Sequence, residues 1–332
     1  MNNLMPLSSH PMSQRVRPTI QTLPVVRLAL ATSVCLEYGR PSLRVIGDGR
    51  AGKSTATLML ENTTSWRPFS CGFLRMVVGR PAVASEANFF REVALGLGMK
   101  VPRITTTQDL LLRIIRAFEQ EAARSAAEVV MLAIDTAENL TLKDYEHLAK
   151  LQNHFLGSVV QPFFLFIHQS DSQIEGADDL GKAAPPHLYG RFFVDSHDFT
   201  GLLWTIPPED SDQDACDVAL AFREFDQSMR WPEITGPTYT EAFAPLAYSA
   251  GWRLEKETDA IRRRIEVLCA THGYAMSRDW LMVSFNAFVF DLLTKVAAGR
   301  AEFMALAEDD IDTALKRSGF IGFESARRRS SR

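Results

Sequence analysis

The chain has 332 residues, of which 46% are hydrophobic and 23% charged, and it carries a net charge of −4. This composition is typical of a globular protein with one large hydrophobic core and a smaller second core, and it excludes a disordered or fibrous chain. The charge gives no overall attraction to nucleic acid, so any DNA contact must come from local basic patches.

Neither a membrane segment nor an export signal is visible in the sequence. No run approaches the roughly 20 apolar residues that a membrane-spanning helix needs, and the first residues lack a basic stretch followed by an apolar one. The four cysteines are scattered along the chain without C-x-x-C spacing, so the sequence indicates neither a zinc site nor a disulfide framework. We therefore expect a cytoplasmic protein with reduced thiols that does not contact a membrane.

The chain divides into four parts by composition. Residues 1–40 are rich in Ser, Pro and Met and predict an N-terminal arm. In 41–207 short apolar runs alternate with amphipathic stretches, which predicts a parallel sheet covered by helices on both faces. Residues 208–320 predict a helical subdomain, and 321–332 a basic tail that is either solvated or a DNA-binding arm. The five strand candidates are 43–47, 73–78, 129–134, 163–167 and 202–206.

A phosphate-binding motif follows the first predicted strand. Residues 47–54 read Gly-x-x-x-x-Gly-Lys-Ser, and a predicted helix continues from Ser54. The glycines allow successive backbone N–H groups to face a phosphate chain, Lys53 can reach the β and γ oxygens, and Ser54 can offer its hydroxyl to Mg²⁺. The motif predicts ATP binding by Gly47, Asp48, Gly49, Arg50, Ala51, Gly52, Lys53, Ser54 and Thr55.

A second carboxylate for the metal stands at the end of the third predicted strand. The run Val129–Ile134 is apolar and is followed directly by Asp135. This is the Walker B pattern, in which the acid holds Mg²⁺ through water. We therefore predict a magnesium site formed by Ser54 and Asp135.

Three further side chains are candidates for contacts with the γ-phosphate. Gln169 follows the fourth predicted strand and is the first candidate for a residue that senses the γ-phosphate, and Ser170 is the second. Both residues are equally typical of an ordinary polar loop. Arg191 precedes two phenylalanines and either reaches a neighbouring subunit's γ-phosphate or lies over the aromatic rings at the surface. Arg253 is a weaker candidate for a nucleotide-sensing arginine of the helical subdomain, and the three arginines at 262–264 are alternative candidates for this role.

Several blocks of the sequence resemble a known family. They are 47–54, 80–98 with its Leu-Gly-Leu-Gly end, 134–140, 166–170 and 191–192. Over roughly 40–320 the chain resembles the AAA+ ATPases of the TniB/TnsC type, regulators of DNA transposition that are related to the phage Mu target-binding ATPase. The resemblance implies an α/β AAA+ P-loop NTPase with a parallel five-stranded sheet flanked by helices, followed by a smaller α-helical lid.

The resemblance also implies partners and a setting. In a bacterial cytoplasm, about six or seven subunits per ring or helical turn would assemble with ATP on duplex DNA. This assembly would receive a target-selection protein and recruit a DDE-type transposase. The DNA contacts would be sequence-independent phosphate contacts, which need only a cation or a hydroxyl. The positions that fit are Arg75, Arg80 and Ser85, with Lys100 and Arg103 behind them.

One residue departs from the family pattern and bears on hydrolysis. Thr136 stands where most hydrolytic members carry the glutamate that polarises the attacking water. Either Glu138 or another acid orients the water, or hydrolysis is slow and ATP serves mainly as an assembly ligand. Glu138 could equally be a helix N-terminal acid without a catalytic role.

Two other functions compete with the transposition hypothesis. The first is a signalling or defence P-loop NTPase that acts through protein partners without binding DNA. The second is a metabolic kinase, which the second half of the chain does not favour because it contains no recognisable acceptor site. ATP-dependent, salt-sensitive and sequence-indifferent retention of duplex DNA distinguishes the transposition hypothesis from both.

Overall fold

The computed structural model describes residues 7–15, 18–79, 85–170 and 177–330. Five parallel strands form one sheet in the order β2-β3-β4-β1-β5. These strands are β1 (Ser42–Gly47), β2 (Cys71–Val77), β3 (Val129–Asp135), β4 (Gln161–Gln169) and β5 (Ser196–Asp198). The predicted parallel five-stranded α/β architecture is therefore confirmed.

β3 and β4 each contain a continuous apolar run, as expected for strands of a sheet that helices cover on both faces. In β3 and β4, every residue of 130–134 and 163–167 is at most 1% exposed. One face packs against α1 (Leu23–Glu37) and α2 (Lys53–Asn62). The opposite face packs against α3 (Glu86–Gly96), α4 (Thr107–Ser125), α5 (Leu142–Asn153) and α7 (Pro186–Phe192), and α6 (Ala177–Ala183) precedes α7.

The predicted N-terminal arm contributes a helix to this unit. Within α1, Val25, Leu28 and Leu36 join the core on the α2 face of the sheet. Arg27 on the same helix donates to both carboxylate oxygens of Asp217 at 2.8 Å, which ties α1 to the C-terminal half of the chain.

The prediction of a fifth strand at 202–206 was wrong in position. The fifth strand of the sheet is β5, whose sequence Ser-His-Asp has no apolar run because it is a short edge strand. Leu202–Leu203 (β6) instead pairs antiparallel with Asp279–Trp280 (β7) in a separate two-stranded sheet. Its apolar character comes from burial in the core of the C-terminal subdomain, where Leu202 and Trp204 are both buried.

The C-terminal half is helical, as predicted, and has its own core. The rings of Trp204, Phe285, Phe288 and Phe320 surround Trp280, which is fully buried. The helices are α8 (Asp217–Arg223), α9 (Tyr239–Phe243), α10 (Pro245–Ser249), α11 (Thr258–Thr271), α12 (Met282–Asp291), α13 (Glu308–Arg317) and α14 (Phe320–Ser330).

The segment predicted as a basic tail forms most of α14. Phe320 and Glu324 on this helix are buried, so α14 is docked on the C-terminal subdomain and is not a solvated end. Among the helices that the structure describes, none combines the length and the apolar character needed to cross a membrane.

Candidate functional site

The loop between β1 and α2 has a backbone that only certain residues allow. Arg50 has a φ of 67° and Gly52 a φ of 112°, both in the left-handed region, where glycine is least strained. At Gly47, an added Cβ would lie 2.1 Å from the carbonyl oxygen of Phe199, so the start of the loop packs too closely for any side chain. The loop ends at the N-terminus of α2, where free backbone N–H groups and the helix dipole favour an anion.

Lys53 lies inside this loop. Its side chain donates from Nζ to the carbonyl oxygens of Gly47 at 2.6 Å and Asp48 at 2.7 Å, and the residue is only 8% exposed. The next two residues, Ser54 and Thr55, are exposed on the first turn of α2. The ammonium and both hydroxyls are therefore grouped around one helix N-terminus.

The strand order brings distant polar residues to the same edge of the sheet. Because β4 lies between β1 and β3, its last residue, Gln169, pairs with Gly47 at the start of the loop. The backbone N–H of Gln169 donates to Glu138 Oε2 at 3.1 Å. Its side-chain amide nitrogen lies 3.0 Å from the position that a Cβ on Gly49 would occupy. Gln169 and Glu138 thus adjoin the P-loop.

The residues at the end of β3 suit a magnesium ion. Asp135 is half-buried, and its Oδ1 accepts from the backbone N–H of Thr136 at 2.9 Å. Within the described ranges, no group of three or more His, Cys, Asp or Glu residues could hold a metal. Mg²⁺ needs no such group, because it takes most of its ligands from water and phosphate and only one or two from protein oxygens. The Ser54 hydroxyl and the Asp135 carboxylate are donors of this kind.

Thr136 and Glu138 point in different directions. Thr136 has a φ of 57°, and its hydroxyl donates to the carbonyl oxygen of Val78 at 2.6 Å, just beyond the end of β2. Glu138 lies in the short 3₁₀ turn Ala137–Asn139 and reaches β4 through Gln169. Of the two residues, Glu138 is therefore the one that contacts the P-loop side of the sheet.

The C-terminal helix also contacts the P-loop. Arg327 on α14 forms an ion pair with Asp48 Oδ2 and a second one with Asp279 at 2.6 Å. The other oxygen of Asp48, Oδ1, accepts from Ser170 Oγ at 3.1 Å. Burial opposes the charge of Arg327, but the carboxylates of Asp279, Asp48 and Glu324 outweigh it and raise its pKa. Sequence reasoning assigned Arg327 to the basic tail and missed its contact with the P-loop, although Phe320, Phe323 and Arg327 recur at helical spacing.

Comparison with known proteins identifies the fold. Residues 36–170 match the family model described as the AAA domain. The structure resembles the Aeropyrum pernix ORC2 protein in its ADP form, with a TM-score of 0.50 and 10% identity over 93% of this chain and 72% of that one. Residues 36–170 therefore have the fold of an AAA domain. No curated protein matches the sequence.

Two other solved structures are similar at a lower level. The Aeropyrum pernix ORC1 protein in complex with DNA has a TM-score of 0.38 and 12% identity over 92% of this chain and 85% of that one. The AMPPCP-bound DnaA from Aquifex aeolicus has a TM-score of 0.33 and 11% identity over 100% of this chain and 94% of that one.

Arg191 occupies the last turn of α7, just before β5 of the parallel sheet. Its Nη1 donates to Asn153 Oδ1 at 2.9 Å and, more weakly, to Gln152 Oε1 at 3.4 Å, both on α5. Among the ion pairs of the described residues, none involves Arg191. Its charge is therefore met by amide groups and not by a carboxylate.

Arg253 is held within its own loop of the helical subdomain. Its Nη1 donates to the carbonyl oxygens of Tyr248 at 2.7 Å and Trp252 at 2.6 Å, and its guanidinium carbon lies 3.4 Å from the centre of the Tyr248 ring. These contacts place it in a structural role in the subdomain. Among the described arginines of the C-terminal half, Arg327 is the one that forms an ion pair with the P-loop.

Two of the proposed DNA-binding residues lie on one supported loop. Lys100 and Arg103 are exposed in the segment that joins α3 to α4. Arg91 donates to the carbonyl oxygens of Pro102 at 3.1 Å and Arg103 at 3.2 Å, and Arg113 donates to that of Lys100 at 3.4 Å. These arginines hold the backbone of the loop, so the side chains of Lys100 and Arg103 project from a fixed support.

The other DNA candidates are more scattered. Arg75 is exposed on β2, the edge strand of the sheet. Ser85 caps α3, because its hydroxyl oxygen accepts from the backbone N–H of Asn88 at 3.2 Å. Arg80 lies outside the described residues.

Proposed function

We propose that this protein is an ATP-dependent, DNA-binding AAA+ regulator of transposition. It oligomerises on duplex DNA, receives a target-selection protein and recruits a transposase. The observation that carries the proposal is the P-loop with Gln169 and Glu138 beside it, because this arrangement can bind ATP and respond to its γ-phosphate. The resemblance of the 80–98 and 134–140 blocks supports the transposition role in particular.

ATP binding follows from the chemistry of the loop. Backbone N–H groups at the start of α2 bind the phosphate oxygens, and Lys53 leaves the loop carbonyls to neutralise the β and γ phosphates. Ser54 and Asp135 would hold Mg²⁺, which supplies further charge neutralisation when it is bound. Gln169 faces Gly49 and reports whether a γ-phosphate is present.

Hydrolysis is assigned to Glu138. Its carboxylate is on the P-loop side of β3, whereas the Thr136 hydroxyl is committed to Val78. Glu138 therefore orients and deprotonates the attacking water. Because it reaches the site from a 3₁₀ turn and not from the position directly after Asp135, we expect slow turnover.

Glu138→Gln is expected to lower ATP hydrolysis by about 10²- to 10⁴-fold, the usual contribution of a general base. ATP affinity should stay within about twofold of wild type, because the amide oxygen can still accept from the Gln169 backbone N–H. Phosphate release at saturating ATP and DNA measures the first effect, and equilibrium titration with ATP the second. The control is Glu146→Gln, at an exposed glutamate on α5. Unchanged hydrolysis in Glu138→Gln would mean that Glu138 has only a structural role.

Assembly brings Arg191 to a neighbouring subunit. Among the described residues, the half-buried Arg191 guanidinium donates to amide and peptide oxygens, which it can exchange for a γ-phosphate without breaking an ion pair there. The arginine then neutralises charge that the neighbour's own P-loop leaves exposed. ATP thus becomes part of the subunit interface, and a head-to-tail interface of this kind generates rings or helical filaments.

DNA binding is assigned to the loop that Arg91 and Arg113 support. Lys100 and Arg103 on this loop, together with Arg75, would contact phosphates, which carry no sequence information. Because each subunit has a net charge of −4, the affinity comes from these local cations repeated around the oligomer.

The double variant Lys100→Ala/Arg103→Ala is expected to weaken DNA binding equally for all sequences. Each phosphate contact contributes about 0.9 to the slope of log affinity against log salt, so the slope should fall by about 1.8 per bound subunit. The Arg91 and Arg113 hydrogen bonds go to backbone carbonyls, so the loop itself should remain in place. Fluorescence anisotropy of labelled duplexes over a salt series in ATP measures the slope.

Lys143→Ala/Lys316→Ala is the matched control, because it removes two exposed cations from other helices. An unchanged slope in the loop variant would show that the DNA surface lies elsewhere. If the wild-type protein shows no ATP-dependent binding to duplex DNA, the signalling or defence NTPase becomes the better hypothesis. If it binds DNA but retains no DDE-type transposase on DNA-coated beads in ATP, the transposition role is wrong and the DNA-binding role stands.

A further inference from the structure

A half-buried arginine of the C-terminal helix lies beside the P-loop. Its side chain, on Arg327 of α14, is 17% exposed and forms ion pairs with Asp48, with Asp279 and, at 3.9 Å, with Glu324 of its own helix. Asp279 is nearly inaccessible, with 1% of its side chain exposed, and its second oxygen accepts from the backbone N–H of Gly201 at 2.6 Å. Arg327 therefore joins the P-loop, the small β6–β7 sheet and the C-terminal helix.

The P-loop carries a negative charge at an unfavourable place. Asp48 is the second residue of the phosphate-binding motif, and its carboxylate would repel the several negative charges of a bound triphosphate. Water screens this repulsion incompletely, because the Asp48 side chain is less than one third exposed. A cation must compensate Asp48 if the loop is to bind ATP tightly, and Arg327 is placed to do so.

We infer that Arg327 is a positioning residue for the nucleotide, which neutralises Asp48 and thereby couples ATP binding to the docking of α14. This inference rests on the proposed binding of ATP at the P-loop. Arg327 acts through Asp48 and need not touch the nucleotide. By thermodynamic reciprocity, if the docked helix strengthens ATP binding, then bound ATP strengthens the docking of the helix by the same factor.

The contacts of Asp48 extend the coupling towards the γ-phosphate side. Its Oδ1 accepts from Ser170, the residue that follows Gln169 at the end of β4. A change at Gln169 on nucleotide binding can therefore reach α14 through Ser170, Asp48 and Arg327. The helix is also held independently of the P-loop, because Glu324 accepts from Ser277 Oγ at 2.5 Å. Loss of the Asp48 contact should therefore loosen α14 without releasing it.

The test compares Arg327→Ala, Asp48→Asn and the double variant by titration with a fluorescent ATP analogue. We expect Arg327→Ala to weaken binding at least about tenfold, since it leaves a partly buried carboxylate unpaired beside the phosphates. Asp48→Asn in the same chain should restore most of the loss, because the repelling charge is gone. The control is Arg328→Ala, whose side chain contacts Glu324 and the carbonyl oxygen of Ala275.

The outcomes separate this inference from the function on which it rests. If the wild type does not bind the analogue, the proposed ATP site is wrong. If the wild type binds and Arg327→Ala binds equally well, the inference is overturned. A double variant as weak as Arg327→Ala alone also overturns it, because a purely structural contact would not be rescued by removal of the Asp48 charge.

A second measurement decides the case in which Arg327→Ala does not fold. Hydrogen exchange of the α14 amides should slow on addition of ATP in the wild-type protein. The ATP effect should disappear in Asp48→Asn, which keeps the size of the side chain and leaves the Arg327–Asp279 pair intact. Equal slowing in the wild type and in Asp48→Asn would overturn the coupling.

Discussion

Replacement of Lys53 by alanine is expected to abolish productive ATP binding. Lys53 is the one lysine of the P-loop, and its Nζ already lies within hydrogen-bonding distance of the loop carbonyls. Its loss removes charge-assisted hydrogen bonds to the β and γ phosphates, each worth about 1.5–3 kcal/mol. Two such bonds correspond to a loss of affinity of about 100-fold or more. Isothermal titration with ATP and Mg²⁺ measures the change.

The same substitution should remove every ATP-dependent property of the protein. Assembly on duplex DNA should be lost together with nucleotide binding, and Lys143→Ala, at an exposed lysine on α5, should leave both unchanged. Thermal unfolding in the absence of nucleotide checks that Lys53→Ala is folded. Wild-type ATP affinity in a folded Lys53→Ala protein would contradict the assignment of the P-loop.

Arg191→Ala is expected to separate ATP binding from ATP-dependent assembly. The isolated subunit should bind ATP normally, because Arg191 contacts α5 and not its own P-loop. Hydrolysis stimulated by assembly should fall by about 10³-fold or more, the usual contribution of an arginine supplied in trans. Light scattering follows assembly on DNA, and phosphate release follows turnover.

Mixing experiments test whether Arg191 acts between subunits. Wild-type subunits should partly rescue the variant in mixed oligomers, since each mixed interface that receives a wild-type arginine regains its function. Arg263→Ala removes an exposed arginine of α11 and is the control. Normal assembly and normal turnover in Arg191→Ala would mean that this arginine only supports the packing of α7 on α5.

The local motifs were predictable because their chemistry lies in consecutive residues. The P-loop requires glycines, a lysine and a hydroxyl at set positions, and the structure places 47–54 between a strand and a helix. The four long strands were predictable because a parallel sheet covered on both faces needs continuous apolar runs. The edge strand β5 was missed for the same reason, since its polar sequence carries no such signal.

The partners of the candidate site residues could not be read from the sequence. Thr136 and Glu138 are two positions apart, yet one bonds to Val78 beyond β2 and the other to Gln169 at the end of β4. The positive φ of Thr136 and the 3₁₀ turn after it decide this divergence. Arg253 was singled out from its neighbours in the sequence, but its loop holds it against Tyr248.

The sequence by itself determined the P-loop, the Asp135 strand end, four of the five strands of the α/β sheet and the helical C-terminal half. These features depend on interactions between near neighbours and on the period of apolar residues, which are written along the chain. Only the tertiary structure decided which distant residues meet at the loop. Glu138 and Gln169 meet because β4 lies beside β3, and Arg327 reaches Asp48 because α14 packs through Phe320 and Phe323 next to the P-loop. Packing between elements sets such contacts, and no local pattern encodes it.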